Sequence, residues 1–262
     1  MPEKKGLSLG LIALASAIIG LILWVVLWPP SEGWGPSNSP ARQGLFYLFN
    51  ILIYVIPGVA VIKLFGRRPE WLAPPGRYVE GAKYSIFSPY ALAASAIVAA
   101  VATIAGIPGP INIDTVAMVT AFTSAYFGPA VAFLGTAVAF ILRYLLGLAP
   151  WVATPNIVLA YALMDGGIWA INAYLFWWVV RGRGLKGGVK TLATIVMAIV
   201  GMGVHQFGWC ILNYFTNNPW EAALGSLLWA IGPTGWVISS LVAQMIGWLI
   251  GAFYYDARAA GL

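Results

Sequence analysis

The chain has 262 residues, of which 61% are hydrophobic and 8% charged, with a mean hydropathy of +0.85. That leaves too few polar side chains to cover a water-facing surface, which excludes a soluble globular protein. The net charge of +6 does not indicate a nucleic-acid partner: no basic run interleaves with aromatics, and the basic residues collect at the ends of apolar stretches. A single cysteine, Cys210, excludes an internal disulfide and a cysteine-based metal cage.

Eight apolar stretches approach the length that crosses a bilayer as a helix: Leu7 to Trp28, Leu45 to Phe65, Ile86 to Ile104, Ile113 to Phe127, Ala130 to Leu146, Ile157 to Val180, Leu192 to Leu212, and Thr234 to Tyr254. The first follows a basic start and is too long for a signal-peptide core, so it reads as a retained helix. Between the fourth and fifth, Phe127-Gly128-Pro129 predicts a tight hairpin, with Gly ending one helix and Pro opening the next. The fold class expected is an all-α polytopic membrane bundle.

Alternate connections hold twelve of the fourteen Lys and Arg residues. One set carries Lys4, Lys5, Lys63, Arg67, Arg68, Arg77, Lys83, Arg181, Arg183, Lys186, Lys190 and Arg258; the other has only Arg42 and Arg143. By the positive-inside bias the first set is cytoplasmic, and both termini with it, in a cell membrane. Trp24, Trp28, Trp209 and Trp220 then fall in the outer aromatic belt, and Trp71, Trp177, Trp178 and Tyr255 in the inner one. The Pro- and Gly-rich connection 69–85 divides two helices (1–68) from six (86–256), leaving a tail at 257–262.

The third stretch, IFSPYALAASAIVAAVATI, places Ala91, Ser95, Ala99 and Thr103 at intervals of four, with Ala96 and Ala100 beside them. Such a stripe lets a neighbouring helix approach closely, either within the chain or from another subunit. Next comes GPINIDTVAMVTAFTSAYFGPAVAFLGTAVAFILRYLLG, a short helix, a Phe-Gly-Pro turn and a Gly- and Ala-rich helix. With these features, Ile86 to Asp256 resembles the substrate-binding S-component of an energy-coupling factor (ECF) transporter. The resemblance implies a vitamin-binding membrane subunit that docks, through Ala91, Ser95 and Ala99, on a transmembrane coupling protein driven by separate ATPases. Two extra N-terminal helices depart from that pattern. The start Met1-Pro2-Glu3 lacks the N-terminal histidine of the metal-carrying relatives, so no nickel or cobalt cargo is expected.

Ionisable groups inside a span are costly unless paired or wetted. About 1.5 Å per residue sets Asp165 roughly 12 Å and His205 roughly 10 Å below the outer ends of their helices, at a shared depth. Tyr161, Asp165, Trp169 and Asn172 follow helical spacing on one helix; His205 and Trp209, with Gln206 adjacent, do so on the next. Two mixed polar and aromatic stripes facing one outward-opening cavity would suit a small heterocyclic ligand. Arg143, Asn112 and Asp114 stand near the same surface, and Asn213 to Pro233 is long enough for an interfacial helix above it. The alternatives are that Asp165 and His205 only bond each other, or relay protons, and that Arg143 is a snorkelling anchor. Gln244 is expected to bond a neighbouring helix.

Enzyme chemistry is not expected. The chain has no phosphate loop, no paired-carboxylate motif and no HExxH, and Gly184 to Gly188 lacks Walker spacing. One histidine cannot ligate two haems, and every lysine lies at a helix end, away from where a retinal Schiff base would sit. The expected partners are therefore the lipid bilayer, a small solute, the coupling subunit and its ATPases, with no cofactor. An accessory subunit of a larger membrane complex is the competing expectation.

Overall fold

The computed structural model describes residues 2–27, 39–106, 114–149, 152, 155–233 and 235–262. Those residues are mostly helical and contain no strand. We number the main helices α1 (Pro2–Leu27), α2 (Pro40–Phe65), α3 (Pro89–Ala105), α4 (Thr115–Phe127), α5 (Pro129–Leu145), α6 (Pro155–Arg181), α7 (Gly187–Asn217), α8 (Trp220–Ile231) and α9 (Val237–Ala259). Five of these, α1, α2, α6, α7 and α9, are long and apolar enough to cross a bilayer, which makes the chain a membrane protein.

Local chemistry sets the helix starts. Ser39, Ser88 and Asp114 each accept a hydrogen bond from the backbone N–H three residues on, at 3.4, 3.2 and 3.0 Å. In the first two cases a proline opens the helix, where its missing N–H costs nothing. The hairpin between α4 and α5 forms at Gly128, whose φ of 85° is open to glycine and strained for other residues. A Cβ there would also strike the Phe65 ring.

Helix α6 is the centre and α1 the periphery: 78% of α6's most apolar window is buried against 17% of α1's. Around α6 stand α5, α2 and α7, while α4 and α9 form the tightest pair and α3 leans on α5. Helix α2 belongs to this core. Its Gly58 meets the backbone of Gly167 on α6, where a Cβ on Gly167 would lie 2.6 Å from the Tyr54 carbonyl oxygen. Phe46, Phe49 and Tyr54 of α2 share one apolar cluster with Phe140, Tyr161, Ile168 and Leu212. A close glycine crossing of this kind lets dispersion contacts hold helices together where lipid offers no hydrophobic drive.

Some expected aromatic belt positions are interior instead. Trp24 is buried and donates from Nε1 to Thr216 Oγ1 at 3.1 Å. Trp177 is buried and donates to the Ser124 carbonyl at 3.0 Å. One turn on, Arg181 donates to the Ala125 carbonyl at 2.9 Å. Together they cover the C-terminal carbonyls of α4, which have no partner within their own helix. Trp178 and Trp220 are exposed, as belt residues are, and Trp28 lies outside the described residues.

Candidate functional site

Asp165 on α6 and His205 on α7 come together as their depths predict, with His205 Nε2 4.0 Å from Asp165 Oδ1. Both are buried, each 6% exposed. Trp209, one turn beyond His205 and only half-buried, donates from its indole nitrogen to the same carboxylate oxygen at 3.3 Å. Trp169 closes the other side, its ring centroid 5.4 Å from that of His205.

The chain's only histidine is fixed from behind. Met202 Sδ can only accept hydrogen bonds, so Gln206 and Gln244 both turn their amide nitrogens toward it, at 3.4 and 3.1 Å. Those nitrogens also face His205 Nδ1, at 3.2 and 3.5 Å. A ring nitrogen met by two donors carries no proton. The imidazole is therefore neutral and turns its Nε2–H toward Asp165. The Gln206 oxygen accepts from Cys210 Sγ at 3.1 Å, which agrees with this amide orientation.

Above the pair lies an aromatic stack. Tyr161 and Trp209 are nearly parallel, 5.4 Å apart at 9°, and Phe140 stacks on Tyr161 at 5.7 Å. The Tyr161 hydroxyl donates to Asn213 Oδ1 at 2.7 Å. Trp236, in the connection before α9, stands edge-on to His205 at 6.3 Å. Trp209 and Cys210 belong to a π-helical segment, Phe207–Leu212. Such a bulge disturbs the regular backbone ladder, and just before it the Tyr54 hydroxyl donates to the Val204 carbonyl at 3.3 Å.

The other expected site residues are distributed unevenly. Arg143 and Asp114 are within electrostatic reach of Asp165, so they belong to the same neighbourhood. Asn172 is directed elsewhere: two turns further along α6 from Asp165, it donates to the Gly201 carbonyl at 3.0 Å. Its Oδ1, like Gln244 Oε1, is buried without a hydrogen-bond donor among the described residues. Asn112 lies outside the described residues. Gln244 does bond a neighbouring helix, through Met202. Met202, Phe140 and Trp236 were not expected; Met202 stands three residues before His205 on one stripe of α7, a spacing that could have found it, whereas Phe140 and Trp236 lie on other elements.

The small-residue stripe of α3 turns into the bundle. Ser95 and Ala99 are 7% and 3% exposed, and a Cβ on Gly135 of α5 would meet the Ser95 carbonyl and Val98. Of the stripe Ala91, Ser95, Ala99, those two residues face into the bundle, so it serves the internal α3–α5 contact and is not a free docking face. The exposed side of α3 carries Ala93, Ala96 and Ala100 between Leu92, Ile97 and Val101.

No family model, curated protein or solved structure matches the chain. Among the described residues no cluster of His, Cys, Asp and Glu could hold a metal ion.

Proposed function

We propose that the protein is a substrate-binding membrane subunit that takes up a small, vitamin-like organic solute, as its resemblance to the S-component of an ECF transporter implies. The supporting observation is that Asp165, His205 and Trp209, brought from two helices, form a polar group walled by Trp169, Tyr161 and Trp236. Aromatic faces would hold a heterocycle, and the carboxylate would fix its orientation. Trp209 and Gln206 are only half-buried, so the solute would reach the group past them. In this reading α3, α4 and α5 complete eight crossings with the five long helices. The basic connections are cytoplasmic, both termini with them, and the solute enters from the opposite face of the cell membrane. The exposed alanines Ala96 and Ala100 meet the coupling subunit, and separate ATPases supply the energy.

A second reading, an accessory subunit of a larger membrane complex, is favoured by the same packing: Trp209 already bonds Asp165, and Tyr161 and Phe140 stack against it. Thermal melting of the purified chain against a set of vitamins separates the two. A binder raises the melting temperature with occupancy, and Asp165→Asn removes the shift. No response to any vitamin favours the accessory subunit.

A further inference from the structure

At the basic end of the bundle, away from Asp165 and His205, a groove runs between the 69–88 connection, the start of α3 and the α4–α5 turn. Trp71, Ile86, Tyr90, Tyr126, Phe127 and Val131 line it. Its walls are apolar and aromatic, while its rim is cationic. Arg68 lies 5.3 Å over the Trp71 ring and 3.7 Å from Glu70, Arg258 lies at Tyr126, and Arg77 and Lys83 are exposed on the 69–88 connection. The connections and chain end on this side hold twelve of the fourteen basic residues but only four of the eight acidic ones, Glu3, Glu70, Glu80 and Asp256.

The connection beside the rim is held by Tyr84. The Tyr84 hydroxyl accepts from the Val79 N–H at 2.9 Å and donates to the Arg77 carbonyl at 3.1 Å, and Tyr78 stacks on Tyr84. This leaves Tyr78, Val79 and Phe87 exposed beside Arg77 and Lys83. Next to the groove's Tyr90, α3 exposes Leu92 and Ile97, the side that meets hydrocarbon if α3 crosses the membrane as proposed above.

We propose that this groove binds an anionic phospholipid, with the acyl chain along Tyr90 and Phe127 and the phosphate among Arg68, Arg77, Lys83 and Arg258. The occupant follows from charge complementarity together with the apolar side of α3 exposed next to the groove. A buried apolar slot alone would take any lipid, and an exposed basic patch alone any anion. Basic clusters beside a membrane-spanning helix attract anionic headgroups strongly enough for several of them to give a preference of about tenfold or more over a zwitterionic lipid.

The test uses the full chain purified in neutral detergent, with binding read by native mass spectrometry and stability by thermal melting. Phosphatidylglycerol should bind at least about tenfold better than phosphatidylcholine of the same acyl chains and should raise the melting temperature more. The combined variant Arg68→Gln, Arg77→Gln, Lys83→Gln, Arg258→Gln should lose that preference and keep its melting temperature in phosphatidylcholine. Should that variant not fold, salt titration of the unaltered chain serves instead: the preference should fall toward unity as salt rises. Equal binding of the two lipids, a preference that survives the variant or high salt, or the same stabilisation by inorganic phosphate alone would each overturn the proposal.

Discussion

His205 turns Nε2 toward Asp165 Oδ1, 4.0 Å away, because two glutamine amides hold its Nδ1 from the opposite side. The tautomer is set by Met202, whose acceptor-only sulfur orients both amides. Since the chain has one histidine, nitrogen NMR of histidine-labelled protein in micelles reads a single imidazole. Nδ1 should show the pyridine-type shift and Nε2 the pyrrole-type shift; the reverse pattern contradicts the assignment.

Gly167 sits where the backbone of Tyr54 passes, so a side chain there must push α2 away from α6. Gly167→Leu should destabilise the chain by about 1–3 kcal/mol or more, the usual cost of overpacking. Gly225, with open space around its Cβ position, should accept alanine with little change. Thermal melting of both variants in one detergent makes the comparison.

Arg181 is the buried tie at the basic end. Its side chain is 8% exposed, lies 3.4 Å from Asp256, bonds the Ala125 carbonyl and rests 3.6 Å over the Tyr255 ring. Lys190 pairs with the same Asp256. Arg181→Gln should cost about 1–3 kcal/mol because it uncovers a buried carbonyl. Arg68→Gln breaks an exposed pair with Glu70 and an exposed cation–ring contact with Trp71 and should change stability by less than about 1 kcal/mol.

The two sides of α3 should respond in opposite ways. Ala99→Leu forces bulk into the α3–α5 contact and should lower the melting temperature of the isolated chain. Ala96→Leu adds bulk to an exposed position and should leave that temperature nearly unchanged. Under the transporter reading it should also weaken co-purification with a coupling subunit. Equal destabilisation by both variants would show that α3 does not pack as described.

Asp165 and His205 were legible as a pair from sequence because helical rise converts residue number into depth, and two buried ionisable groups at one depth on successive helices are free to meet. The Phe-Gly-Pro hairpin was legible for a local reason too, since only glycine takes its φ without strain. Burial direction was not. The spacing of Ala91, Ser95 and Ala99 marks a smooth stripe but carries no information on which neighbour covers it, and the answer was α5, within the chain.

The amino-acid sequence by itself determined that this is a helical membrane protein, because composition and the length of apolar runs act without reference to any other part of the chain. It also determined where helices turn and which polar residues share a level. The tertiary structure alone decided that α2 joins the core at Gly167 of α6, that Gln244 of α9 reaches Met202 and His205, and that Trp24 and Trp177 lie inside. Those are contacts between residues far apart in the chain, set by how helices rotate and cross, and a one-dimensional pattern of hydropathy does not contain them.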